Sequence, residues 1–202
     1  MTITYHDLMH AARAALRAAG VDDEANKLEA QDLICAAAGK TPEQLYRDFS
    51  LYTTDAIAET IEKYMDRRLA GEPIAYIVGE WDFMGLRFFV NPAALIPRVD
   101  TEMLAPLAIS RLKEHPGHTR VLDLCAGTGC VGLSIAATLK NTRAILVDLS
   151  DGALDLCKRT IRRHKLTGRA VYLKGDALQP PSHTLGQFDA LVCNPPYIPT
   201  GD

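Results

Sequence analysis

Apolar residues recur at helical spacing through the first seventy positions. Leu8, Ala12, Ala15, Leu16 and Ala19 fall on one face of a helix that Gly20 ends. Asp22 and Asp23 open a second helix carrying Leu28, Leu33 and Ile34. Thr41-Pro42-Glu43-Gln44 has the spacing of a capping box with proline at the first helical position. Thr53 and Thr54 precede a further stripe, Ile57, Ile61, Tyr64, Met65 and Leu69, which Gly71 stops. The pattern predicts a small helical bundle over residues 1–70.

Beyond it the period changes. Gly71, Pro73, Gly79, Gly85, Pro92 and Pro97 punctuate short β-prone runs, and Ala75-Tyr76-Ile77-Val78 with Leu86-Arg87-Phe88-Phe89-Val90 predict a β-ribbon over 71–97 that links two domains. Trp81 and Phe83 read as its packing residues. A helix is expected from Thr101 to Glu114, broken by Pro116-Gly117. From Arg120 strands and helices alternate: strands at 121–124, 144–149, 170–173 and 190–193, helices at 130–139 and 152–165. The run Phe188 to Cys193 reads as a buried strand. Four strands in this rhythm make residues 98–202 the start of a doubly wound, mainly parallel α/β sheet.

Composition narrows the class modestly. At 202 residues and 48% hydrophobic content the chain can bury two small cores, and a net charge of -3 gives no general attraction for nucleic acid. Cys35, Cys125, Cys130, Cys157 and Cys193 are scattered, without a Cys-x-x-Cys pair or histidines at zinc spacing, so they read as reduced, mostly buried thiols of a cytoplasmic protein. Asp7 interrupts the N-terminal apolar pattern, which is neither a signal peptide nor a membrane span. His6 and His10 share a helix face but lack a third ligand, so no metal is expected. Lys158, Arg159, Arg162, Arg163 and Lys165 crowd one helix, which reads as a solvated face, with an acidic partner or RNA as the alternative.

The chemistry gathers where strands end. Cys125-Ala126-Gly127-Thr128-Gly129 follows the first strand of the sheet and lets a ligand approach the backbone; Gly127-x-Gly129-x-x-Gly132 also satisfies the dinucleotide fingerprint, with Asp148 ending the next strand to hold ribose hydroxyls. A nicotinamide dehydrogenase is therefore one reading. Asp123 inside the strand argues otherwise, because carboxylates favour a cationic sulfonium cofactor and repel a pyrophosphate. Asp176, in Lys174-Gly175-Asp176-Ala177, adds a carboxylate on the same rim, placed to accept from an adenine amino group. Asn194-Pro195-Pro196-Tyr197 follows the fourth strand. Its prolines remove two backbone donors and stiffen the loop. The Asn194 side-chain oxygen and the Pro195 carbonyl can then accept both N–H bonds of a planar amide or ring amine, while Tyr197 stacks on it. The bland reading of the tetrapeptide is a proline-stiffened turn.

Gly71-Glu72-Pro73-Ile74-Ala75-Tyr76-Ile77-x-Gly79, Phe83-x-Gly85-Leu86-x-Phe88-x-Val90 and Leu95-Ile96-Pro97-Arg98-Val99-Asp100-Thr101-Glu102, followed by the glycine loop and Asn194-Pro195-Pro196-Tyr197, resemble the PrmC/HemK glutamine methyltransferases. The resemblance implies a Rossmann-like class I methyltransferase that uses S-adenosylmethionine to methylate the side-chain amide of glutamine in the Gly-Gly-Gln loop of class I peptide release factors. It also implies a helical domain that helps to grip this protein. By position, Cys125, Ala126, Gly127, Thr128 and Gly129 would line the cofactor loop beside Asp123, Asp148 would bind the ribose, and Asp176 with Ala177 would lie near the adenine. Asn194, Pro195, Pro196 and Tyr197 would hold the glutamine amide. Cys125 and Ala126 replace a more usual Gly-Thr pair, Val99 a frequent proline, and Ala177 a larger residue. Family members continue past the tetrapeptide, so the last strand is expected to be an apolar edge open to association along 189–193, with residual cofactor binding and little turnover. An amino methyltransferase acting on adenine or cytosine, and a non-catalytic release-factor-binding fragment, are the alternatives.

Overall fold

A computed structural model describes residues 3–182 and 185–196. The chain divides into two compact units, Met1–Val78 and Gly79–Asp202.

The first unit is helical: α1 (Tyr5–Ala18), α2 (Asp23–Ala38), α3 (Pro42–Arg47), α4 (Asp55–Leu69) and the short α5 (Ile74–Val78). Side chains cap four of these helices. Thr4 and Thr41 form capping boxes with Asp7 and Gln44, Asp22 accepts from the N–H groups of Glu24 and Ala25, and Thr54 accepts from Ile57. Leu16, Leu33, Ile34 and Leu45 are fully buried in the shared core, together with Ile61 and Met65. Leu28 and Leu69, expected inside, are 53% and 47% exposed. Asn26 is buried with its amide paired at both ends: Arg13 Nε donates to its Oδ1 at 2.9 Å and its own Nδ2 donates to Asp23 at 3.2 Å.

Ala75-Tyr76-Ile77-Val78 is not a strand. The Pro73 carbonyl accepts from the N–H groups of Tyr76 and Ile77 at 3.0 and 3.2 Å, which closes the turn of α5, and Ile77 is buried among the helices. Tertiary burial overrides the β-propensity of so short a run. The ribbon lies further on. It pairs β1 (Glu80–Phe83) with β2 (Leu86–Phe89) in antiparallel register, and its tight turn places Met84 and Gly85 at φ of 49° and 74°. Phe83 and Phe88 are buried, with rings edge to face at 6.0 Å, whereas Trp81 is 39% exposed and does not serve as a packing residue.

The rest of the second unit is the α/β sheet. Helices α6 (Val99–Glu102) and α7 (Leu104–Lys113) replace the single helix expected over 101–114, and then come β3 (Thr119–Leu124), α8 (Cys130–Thr138), β4 (Thr142–Asp148), α9 (Asp151–Arg163), β5 (Ala170–Lys174) and β6 (Ala190–Cys193). All four strands run parallel in the order β5-β4-β3-β6. The two central strands are the most deeply buried, with Val121 and Leu146 fully enclosed. Strand β6 stands at one end of this order and is not the buried strand expected: Val192 is enclosed but Leu191 is 60% exposed. The basic helix face is also more than solvated. Arg159 and Arg163 lie 4.1 and 4.9 Å above the Phe89 ring, and Arg163 pairs with Glu80, so α9 clamps the ribbon.

Candidate active site

Parallel β3 and β4 deliver their C-terminal ends side by side, and the loop after β3 sits above both. Cys125 leaves the strand in a left-handed conformation, φ 55°, and Gly127 and Gly129 follow at 54° and 77°. A Cβ on Gly129 would stand 3.0 Å from Cys157 Sγ and 3.1 Å from Leu133 and Leu146, so glycine is required there for close packing as well as for φ.

The loop is held by backbone bonds. The Gly127 N–H donates to Asp148 Oδ2 at 2.8 Å, the Ala126 N–H to the Val147 carbonyl at 3.0 Å, and the Cys157 thiol to the Gly127 carbonyl at 3.3 Å. Asp148 Oδ1 accepts from the Ser150 N–H at 2.9 Å. Asp148 thus holds the glycine loop with one oxygen and the turn before α9 with the other, each with lone-pair capacity for a further hydroxyl.

Asp123 lies beneath. It is 3% exposed, and its Oδ2 accepts from the Gly132 N–H, in the first turn of α8, at 2.8 Å. Helix α8 begins at Gly129 without a side-chain cap, so a carboxylate from the neighbouring strand takes that part. Burial pushes the Asp123 carboxyl up to about 7; the Gly132 N–H opposes the rise and the Asp148 charge adds to it. Gly132 allows this approach, because a Cβ there would meet Leu146 Cδ2 at 2.6 Å and Asp123 Oδ2 at 2.9 Å.

Asn194 follows β6, whose Cys193 pairs with Leu124 at the end of β3. The structure brings Asn194 together with Asp123, Cys125, Ala126, Gly127 and Thr128 around a small cleft of about 60 Å³, and Ile96, Pro97, Arg98 and Thr101 close its other side. The sequence offers Thr101 only as a helix start and as part of the Leu95 to Glu102 segment, with no role for its side chain. Here its Oγ1 accepts from Asn194 Nδ2 at 3.1 Å, which turns the nitrogen end of the Asn194 amide toward α6. The hint was the Ile96-Pro97-Arg98 segment, too polar at its end for a ribbon yet adjacent to no obvious ligand motif. Cys157 gave no signal at all, since its partner is a backbone carbonyl.

Pro195 and Pro196 are exposed, and Tyr197 lies outside the described residues. Asp176 and Ala177 are not in the cleft. They stand on the rim past β5, where Asp176 Oδ1 accepts from the Leu178 N–H at 2.9 Å and caps its own turn. Among the described residues no cluster of three or more histidine, cysteine or acidic side chains could hold a metal, and no helix is long and apolar enough to cross a membrane.

Residues 99–201 match the family model of the methyltransferase small domain. The chain belongs to that family. Its methyltransferase unit is preceded by residues 7–79, which match the PrmC N-terminal domain. Among similar proteins, the release factor glutamine methyltransferase of Moorella thermoacetica is 38% identical over 92% of this chain and 64% of its own length. That of Nitratidesulfovibrio vulgaris is 35% identical over 96% and 64%. A bifunctional methyltransferase of Rickettsia typhi is 33% identical over 85% of this chain and 36% of its own. The chain thus spans just under two thirds of the length of the first two relatives.

Proposed function

We propose that the chain carries the cofactor loop and acceptor loop of an S-adenosylmethionine-dependent enzyme that methylates the side-chain amide nitrogen of glutamine in the Gly-Gly-Gln motif of class I peptide release factors, in the cytoplasm. The observation that carries this reading is the meeting of the glycine loop, Asp123, Asn194 and the Ile96-Pro97-Arg98 segment in one cleft. The names of the relatives over most of this chain support the choice of acceptor.

The residues fit the cofactor. Two glycines with positive φ keep side chains off the loop, and the donor set around it is carboxylate-rich, which suits a sulfonium and hydroxyls and disfavours a pyrophosphate. When bound, the cofactor supplies an electrophilic methyl group. Cys125 to Gly129 would line its loop over Asp123, Asp148 would accept from ribose hydroxyls, and Asp176 with Ala177, on the rim outside the small cleft, would border the adenine. An amide nitrogen is a weak nucleophile because its lone pair is delocalised. The side-chain oxygen of Asn194 and the Pro195 carbonyl accept its two N–H groups and stabilise the positive charge it develops, while Thr101 keeps the Asn194 nitrogen end turned away. Pro196 stiffens the loop and Tyr197 stacks on the glutamine amide. The helical unit contributes to gripping the release factor.

The test is transfer of a labelled methyl group to a purified release factor and to its variant lacking the Gly-Gly-Gln glutamine, by this chain and by one extended to the relatives' length. Label on the first and none on the second is expected. Label on adenine or cytosine in nucleic acid, with none on the release factor, would overturn the assignment of the acceptor.

A further inference from the structure

Four of the five cysteines surround the glycine loop, and they divide into two kinds. Cys130 and Cys157 are buried. Burial pushes the Cys130 thiol up to about 12 and the Cys157 thiol still higher, so both are shielded and protonated. Cys125 and Cys193 are only half-buried, and their side chains lie near enough across the ends of β3 and β6 for the Cys125 sulfur to perturb the Cys193 thiol.

The backbone explains how they meet. Cys193 is the register partner of Leu124, and in a regular strand the next residue would point to the opposite face. Cys125 instead adopts φ 55°, which redirects its side chain toward β6 at a cost of about 1–2 kcal/mol for a residue other than glycine. One residue along and one strand across corresponds to a Cα separation of roughly 6 Å for a strand spacing of about 4.8 Å. Disulfides bridge about 4.4–6.8 Å.

We propose that Cys125 and Cys193 form an oxidisable dithiol, a modification site whose disulfide fastens the cofactor loop to the strand that carries Asn194. Burial, and next the neighbouring Cys125 sulfur, push the Cys193 thiol up to about 11. Cys193 therefore keeps its proton, and Cys125, which lines the open cleft where Cys193 does not, is the sulfur that peroxide meets first. With hydrogen peroxide, the Cys125 thiolate attacks one oxygen, giving a sulfenic acid and releasing water once a proton is taken up. The Cys193 sulfur then displaces the sulfenic hydroxyl from Cys125. The S–S bond forms, a second water leaves, and two thiols have given two electrons and two protons to one peroxide. Because Cys125 immediately precedes Ala126 and Gly127, whose N–H groups hold the loop to β4, and Cys193 immediately precedes Asn194, the bond fixes both loops at once. That functional consequence rests on the methyltransferase reading; the bond itself does not.

Oxidation of the chain with hydrogen peroxide, followed by blocking of residual thiols, tryptic digestion and mass spectrometry without reductant, tests the pair. The expected product has lost two hydrogens and links the peptide Val121–Lys140 to the one beginning at Gly175, with fragmentation assigning the bond to Cys125 and not Cys130. It should revert with dithiothreitol, survive Cys35→Ser and vanish in Cys193→Ser and Cys193→Ala variants whose circular dichroism matches the parent. Oxygen added at Cys125 without a crosslink, or a bond from Cys130 or between Cys35 residues of two chains, would overturn the proposal. Calorimetry with S-adenosylmethionine separates the second claim: affinity reduced at least fivefold in the oxidised parent and unchanged by peroxide in Cys193→Ser supports the lock, and equal affinity before and after a mapped Cys125–Cys193 crosslink refutes it. Failure of the reduced, extended chain to methylate release factor would instead count against the proposed function and leave the mapped bond standing.

Discussion

Four helices of the helical unit and α8 of the α/β unit stabilise their starts by opposite means. In the helical unit Thr4, Asp22, Thr41 and Thr54 cap their own helices, each with a side chain one residue before the helix begins. In the α/β unit α8 starts at a glycine with no such cap, and its first turn is served by Asp123, nine positions earlier on a buried strand. A self-capped helix is complete and needs nothing from outside. A helix whose start rests on a borrowed, buried carboxylate keeps an open backbone loop above it, which is where Asn194 also arrives. Helix α8 is thus set apart from the self-capped helices, α9 with its Ser150 cap among them, by where it finds its cap.

The sharpest way to test this separation is to remove a group that belongs to the site alone. Asn194→Ala in a chain of the relatives' length should lower the rate of methyl transfer about 10²–10³-fold, on the order of 3–4 kcal/mol, as expected for one group that stabilises developing charge. Thermal unfolding should barely move, because Asn194 lies in a loop after the last described strand. A comparable loss of rate accompanied by a collapse in melting temperature would erase the distinction.

Asp123 offers the next largest effect. Its carboxyl is raised from 3.8 to about 7 in the folded chain, so the folded state holds the proton more tightly than the unfolded one. The stability this contributes is complete below pH 4 and is lost as pH rises through 7. Asp123→Asn, which keeps an acceptor for the Gly132 N–H, should therefore gain on the parent by about 2–3 kcal/mol between pH 5 and pH 8 in denaturant titrations of the α/β unit. A difference that stays constant with pH would show that Asp123 ionises without penalty. Gly132→Ala should cost about 1–3 kcal/mol in the same unit, through the clash with Leu146 and Asp123.

The comparison also explains what could be read from the residues alone. Local caps and periodicity made α1 to α4 legible, and the alternation from Arg120 located all four strands to within two residues. Errors fell where tertiary context decides. Ala75 to Val78 looks β-prone but is pulled into a helix by the Pro73 carbonyl and by the burial of Ile77. Leu191 looks like core yet faces out, because its strand stands at the end of the sheet order. At the site, Asp123, Asp148 and Asn194 were visible because polar side chains gather in or just after strands on the rim that carries the glycine loop. Thr101 and Cys157 were not: each acts through one long-range hydrogen bond, and neither has a spacing rule.

The smallest effect belongs to the helical unit, and its smallness is informative. Arg68 and Glu29 form a two-pronged pair at 2.9 and 3.0 Å, with side chains 24% and 21% exposed. Hydrogen bonding to Glu29 raises the Arg68 pKa, whose ordinary value is already far above any working pH, so the pair adds no pH dependence from that side. A double-mutant cycle of Arg68→Ala and Glu29→Ala should give a coupling of about 0.5–1 kcal/mol that shrinks in 1 M salt, where the Debye length is about 3 Å. The bidentate fork sets the upper part of that range and solvent access the lower. If the coupling instead exceeded the Asp123 effect and resisted salt, the helical unit would hold a desolvated charge of its own, and a costly buried charge would no longer be peculiar to the α/β unit.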